Sequence, residues 1–175
     1  QQQAAAAAAQ AQQAAAQAAA QAQQAAQQAQ QAVPTPPPGG GGASNFGTVS
    51  LATGFVPDPH VVQGTSGGHI HASTWNPSCG GWVTQTPDHL FVASTAFTNI
   101  RIMTKSDSDT TLVVQRPDNT YACNADTDGL NPVVEIANAP AGTYRIWIGS
   151  YQSGQNAAYK LGFSELSSVT PSSIP

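Results

Sequence analysis

Beyond residue 45 no stretch of this chain keeps a helical period, and that restricts what it can build to sheets. From Phe46 onward, short runs rich in Val, Ile, Thr and aromatic residues are separated by Gly, Pro, Asn and Asp, the punctuation of strands and turns. Alternation is clearest late in the chain. Tyr144, Ile146 and Ile148 share one face with Arg145 and Trp147 on the other, and Tyr159, Leu161 and Phe163 alternate with Lys160, Gly162 and Ser164,. The pattern gives about nine or ten strands with one buried face each. The fold class that follows for residues 46–166 is an all-β antiparallel β-sandwich of jelly-roll type. Residues 167–175 (SSVTPSSIP) read as an irregular tail or an addition to a sheet edge,.

The start of the chain has a different character. Residues 1–32 contain only Gln and Ala, residues 33–45 (VPTPPPGGGGASN) form a Pro-then-Gly linker, and no charged residue precedes Asp58,. Ala and Gln are good helix formers, so an N-terminal low-complexity α-helix is expected, about 48 Å long at 1.5 Å per residue. Ala4, Ala8, Ala11, Ala15, Ala18, Ala22, Ala25, Ala29 and Ala32 follow an unbroken 4,3 spacing, the period of a coiled-coil seam. An all-alanine seam lets helix axes approach closely while Gln flanks hydrogen-bond across the gap. The chain is therefore expected to partner itself, as a homo-oligomer or filament. The alternative is a solvated low-complexity tail.

Charge and cysteine usage remove several classes. With a formal net charge of −4 and five Lys plus Arg, there is no basic stripe to track phosphates, so neither nucleic acid nor an anionic membrane is an expected partner. The Gln amides would lack partners inside a bilayer, and the segment lacks the charged start and apolar middle of a signal peptide. Two cysteines, Cys79 and Cys123, stand outside any C-x-x-C pair. One disulfide is the economical reading and two buried thiols the other. A disulfide favours an oxidising exterior, and with it a secreted or cell-surface location.

Five of the nine acidic residues fall between Ser106 and Pro132. From Asn124 to Glu135 the spacing N-x-D-x-D-G-x5-E matches a twelve-position calcium loop with Asn in first place. Asn124, Asp126, Asp128 and Glu135 would supply oxygens, Gly129 would permit the reversal, and Asp107 and Asp109 would add further ligands. Flanking segments read as strands, and Pro132 interrupts the loop, so the expectation is a calcium loop between strands rather than a helix-loop-helix hand. The alternative is an Asx-rich turn whose carboxylates cap backbone N–H groups without metal.

GFVPDP (54–59), Gly67 and Gly68 before a strand, CGGWVTQTPD (79–88), SDTTLVVQRPDNTYACNADTDGLNP (108–132), AGTYRIWIGSY (141–151) and FSEL (163–166) resemble the secreted bacterial pre-peptidase C-terminal-like β-sandwich modules, over about residues 47–166. The resemblance implies an exported, non-catalytic module found attached to hydrolases or in surface proteins. It places the family's acidic turn on Asn124, Asp126, Asp128 and Asn131, and its strand-initiating Asp on Asp109. The turn departs from the family in beginning Asn-Ala-Asp, and the Gln/Ala segment stands where a protease domain precedes such modules.

Other candidates for chemistry are weaker. Gly64-Thr65-Ser66-Gly67-Gly68 imitates a protease serine, but those enzymes need two barrels, and His60 six residues away makes no triad,. His69 and His71 would face one side of a strand and could chelate Zn or Cu, though a third ligand is missing from the motif. Trp75, Trp82, Trp147 and Tyr151 could form a sugar-stacking platform or pack as core. The function expected is a non-catalytic extracellular structural protein that self-assembles through the Gln/Ala helix and displays a calcium-stabilised sandwich. A secreted binding module for carbohydrate or a cell surface is the alternative.

Overall fold

The computed structural model describes residues 43–175; the expected helix, its alanine seam and most of the linker lie outside the described residues. Eleven strands follow in order: β1 (Thr48–Leu51), β2 (His60–Thr65), β3 (Ile70–His71), β4 (Trp82–Val83), β5 (His89–Ala93), β6 (Phe97–Lys105), β7 (Thr110–Gln115), β8 (Tyr121–Asn124), β9 (Val133–Ala139), β10 (Gly142–Ser150) and β11 (Ala158–Ser164). Two short 3-10 turns, Ala72–Thr74 and Pro171–Ser173, complete the described elements.

The strands form two facing sheets. The larger has seven strands, ordered β1-β5-β10-β4-β3, with β7 on the other edge of β10 and β8 beside β7; the smaller is β2-β11-β6-β9. β10 can serve three neighbours because it is nine residues long. Its first half pairs with β5, Ser150 pairs with Trp82 of β4, and Arg145 to Ser150 run along β7. The expectation of a jelly roll holds at the level of a two-sheet sandwich. The sheets are unequal, and one pair, β1 with β5, is parallel, Thr48 lying opposite Leu90 and Leu51 opposite Ala93.

The core between the sheets follows the period-two pattern. Tyr144, Ile146 and Ile148 meet Leu161 and Phe163, all with no exposed surface, and Phe91 sits among Tyr144 at 5.4 Å and Phe163 at 5.0 Å between ring centroids. Each such side chain contributes about 1.5–3 kcal/mol by leaving water.

One buried face per strand proves too few. Trp147 and Val113 point away from the central core yet are 0% and 1% exposed, because residues 66–82 fold over the outer face of the larger sheet. There Ile70, Ala72, Cys79, Val83, Val113 and Trp147 make a second core, with Trp75 5.0 Å from Trp147. The covering segment is stapled down, for Cys79 and Cys123 are bridged across 44 positions. Gly81 allows the close approach: its φ is +85°, and a Cβ there would lie 2.0 Å from Thr111 Oγ1,.

The C-terminal residues are irregular apart from one 3-10 turn and pair with no sheet edge. Ile174, 1% exposed, packs with Met103 and Val133 on the outer face of the smaller sheet, joined by Val61 and Val169. The tail is a strap across that face.

Candidate functional site

The two acidic loops, residues 106–109 and 124–132, are held side by side at one end of the sandwich. Ser106 N–H donates to Asn131 Oδ1 at 2.8 Å, and Thr110 N–H to the Leu130 carbonyl at 3.4 Å. Asn124 Oδ1 accepts from Thr127 Oγ1 at 2.7 Å and from Val133 N–H at 3.0 Å. Asp128 and Asn131 bridge a tight reversal in which Gly129 takes φ +62°, and Asp128 Oδ2 accepts Ser172 N–H at 3.0 Å. These oxygens therefore cap backbone, as an Asx turn does.

Of the other acids, Asp109 and Asp126 are near enough for their charges to interact, and Asp107 is exposed. Asp109 Oδ1 is buried without a hydrogen-bond partner, and burial, then the negative charge of Asp126, raises the Asp109 carboxyl above the usual carboxylate range,. Glu135 is not part of this corner. It lies on the exposed side of β9, opposite Arg101, and accepts Asn99 Nδ2 at 2.9 Å. The twelve-position spacing fails because residues 133–139 are extended, each adding about 3.3 Å of length instead of turning back. Among the described residues, no three His, Cys, Asp or Glu side chains are grouped so as to hold a metal ion. The oxygens of these loops do not make a closed calcium loop,.

The remaining candidates have structural partners. The Ser66 hydroxyl, 2% exposed, is 2.8 Å from Ser150 Oγ and accepts Ala157 N–H at 3.1 Å. His60 packs beside Phe163, at 6.5 Å between centroids. His71 Nδ1 lies 2.6 Å from Ser73 Oγ, its ring edge-on to Trp82 at 5.2 Å, while His69 is exposed. Trp147 is core, Trp75 packs on it, and Tyr151 alone of the four aromatics is largely exposed, at 59%.

Sequence reasoning missed a buried polar cluster where the linker enters the sandwich. Asp88 is 1% exposed; its Oδ1 accepts Asn45 Nδ2 at 3.0 Å and its Oδ2 accepts Ile148 N–H at 2.7 Å. Burial, against those two hydrogen bonds, pushes its carboxyl up to about 7. His89, 0% exposed, has Nε2 2.9 Å from the Tyr159 hydroxyl, and burial takes its imidazole down to about 4. Burial, then the Asp88 charge, raises Tyr159. Phe46 closes the cluster, its ring 5.8 Å from His89 and 6.3 Å from Tyr159. Backbone bonds from Asn45 N–H to the Pro87 carbonyl at 2.9 Å and from Phe46 N–H to the Asp88 carbonyl at 2.8 Å fix the entering chain. The only sequence sign was an acid next to a histidine at the start of a strand.

No family pattern matches the chain, and no curated protein matches it. Among solved structures, it is similar to the 1.0 Å crystal structure of the pre-peptidase C-terminal domain of collagenase from Bacillus anthracis, at 18% identity and a TM-score of 0.45, over 71% of this chain and 100% of that one. The sandwich assignment rests on this chain's own strand pairing.

Proposed function

We propose that this chain is a non-catalytic extracellular structural protein in which residues 1–32 associate copies through the alanine seam and the β-sandwich is displayed from the junction at Asn45 and Phe46. The observation that carries the reading is the anchoring of that junction: Asn45 alone donates to the Pro87 carbonyl, Thr84 Oγ1 and Asp88 Oδ1. A linker that ends in a fixed socket suits a module held out from an assembly. The Cys79–Cys123 bridge supports an oxidising location, and no helix of the described residues is long and apolar enough to cross a membrane.

Substitution within the seam tests this. Ala18→Leu adds three carbons where close axial approach needs a small side chain, while Gln17→Leu changes an outer face. Light scattering of the full chain at equal concentration should show assembly lost in the first and kept in the second. Indistinguishable oligomers from Ala18→Leu and the parent would overturn the proposal.

Calcium belongs to this reading only at Asp107, Asp109 and Asp126, where the orphaned Asp109 oxygen supports a cation. A second reading, a secreted module that binds carbohydrate, is favoured by Tyr151, which is exposed and whose N–H donates to the Asp109 carbonyl at 3.2 Å. An aromatic face beside carboxylates is a chemistry that sugars use. Saturable binding of an oligosaccharide by the parent, lost in Tyr151→Ala, would establish it.

A further inference from the structure

Three of the five Lys and Arg residues of the chain, Arg101, Lys105 and Lys160, converge on one object, the C-terminal strap. Arg101 donates to the Ser167 carbonyl, Lys105 to the Ile174 carbonyl and Lys160 to the Pro175 carbonyl. All three come from neighbouring strands of the smaller sheet, since Lys105 of β6 lies opposite Lys160 of β11. Asp128 holds the strap from the side through Ser172 N–H. Between these grips Ile174 lies over Gly162, whose missing side chain makes the room: a Cβ there would come within 2.8 Å of Ile174 Cδ1, while its nearest approach to the sheet is Met103 Cγ at 3.5 Å.

The face is thus built as a receptor with a glycine-floored socket for one aliphatic side chain and cationic donors for the carbonyls around it. The strap reaches it through residues 165–166, and Leu166 is 52% exposed. Apart from Ile174 and Val169 the strap brings Ser, Thr and Pro, so its hold is two buried side chains, Ile174 and Pro171, one partly buried one, Val169, and a few hydrogen bonds. Such a segment lies at the low end of local stability and opens far more often than the sandwich unfolds. When it opens, nothing in the receptor distinguishes the chain's own residues 167–175 from the same residues of another copy.

We propose that the outer face of the smaller sheet is an interaction surface between copies of this chain, which accepts residues 167–175 of a neighbour in place of its own. Exchange conserves every contact named above, so it costs no interaction energy, and local concentration decides between the two pairings. The inference uses no property of residues 1–32, and it stands or falls separately from assembly through the alanine seam.

Two full-length variants test it by complementation. Ile174→Asp leaves the socket open and gives its own tail no anchor. Gly162→Val blocks the socket and frees an intact tail, with Gly162→Ala as the milder substitute, since a Cβ alone already meets Ile174. Near-ultraviolet circular dichroism of Trp75 and Trp147, which pack on the other sheet, reports that each variant is folded. With donor- and acceptor-labelled chains, energy transfer should be several-fold higher when the two variants are mixed with each other than when either is mixed with itself. Association through residues 1–32 contributes equally to all three mixtures. A synthetic peptide of residues 167–175 should suppress the excess, and should bind Ile174→Asp at least tenfold more tightly than it binds the parent, whose own tail competes. Equal transfer in the three mixtures overturns the proposal, even if the peptide binds.

Discussion

Asn45 and Asp88 are 43 positions apart and joined by a 3.0 Å hydrogen bond from the Asn45 amide to Asp88 Oδ1, at the point where the linker enters the sandwich. Proton linkage follows from the burial of that acid. With a folded value near 7 against 3.8, Asp88 contributes stability that is fully present below pH 3.8 and lost as pH rises toward 7, of order 4 kcal/mol across the window. His89, near 4 against 6.5, acts in the opposite sense, contributing stability above pH 6.5 that is lost as pH falls toward 4. The two slopes oppose each other between about pH 4 and 6.5. Asp88→Asn should unmask the His89 limb, so that denaturant melts of the variant gain stability relative to the parent as pH rises from 4 to 7. Parallel pH profiles for the two would show that Asp88 does not carry the proton.

A second prediction concerns the acidic corner. In calcium-free buffer Asp126→Ala should stabilise the sandwich, because it removes the charge that, after burial, raises Asp109. With calcium the sign reverses. The parent should gain about 2.7 kcal/mol at a hundredfold excess over the dissociation constant, and the variant should gain little. Glu135→Ala, on a different face, should respond to calcium as the parent does. Thermal melts in chelator and in millimolar calcium decide it, and an unchanged parent would leave the corner a plain turn.

The disulfide should matter most to the outer layer. Cys79→Ala with Cys123→Ala opens a loop closed across 44 positions and should cost about 4 kcal/mol in the chain-entropy model. Because Trp75 belongs to the stapled segment and packs on Trp147 beneath it, tryptophan emission should shift to the red in the variant before the central core melts. Coincident transitions by fluorescence and by far-ultraviolet dichroism would contradict that order.

Adjacent glycines give a matched pair. Gly81→Ala places a methyl 2.0 Å from Thr111 Oγ1 at φ +85°, whereas Gly80→Ala meets nothing within 4 Å. The first should destabilise by at least about 2 kcal/mol. The second should stay within about 0.5 kcal/mol of the parent. Urea melts of the two variants compare them directly.

β10 shows how far local pattern reached. The alternation of Tyr144, Ile146 and Ile148 with Arg145 and Trp147 was readable because successive residues of a strand face opposite sides. That Trp147 is buried as well, at 0% exposure, depends on residues 66–82, held by Cys79–Cys123, while Arg145, buried at 4%, donates to Gln115 Oε1 at 3.2 Å. The acidic stretch divides similarly. Asn124, Asp126 and Asp128 fall in one loop with Asn131, but Glu135 is carried off by an extended strand. Nothing local in the Pro-Asp-His sequence marks Asp88 as buried; Asn45 and Ile148 enclose it in the fold.

Sequence alone determined the all-β character of residues 46–166, the inward set of each late strand and the turns, because periodicity and turn chemistry are set by residues one to four positions apart. Tertiary structure decided which strands are covered on both faces, which acid loses its water, where Glu135 lies and what Ile174 covers. Those outcomes depend on contacts between residues tens of positions apart, such as Gly162 under Ile174 and Asn45 over Asp88, and desolvation is a property of the assembled surroundings that no local pattern encodes.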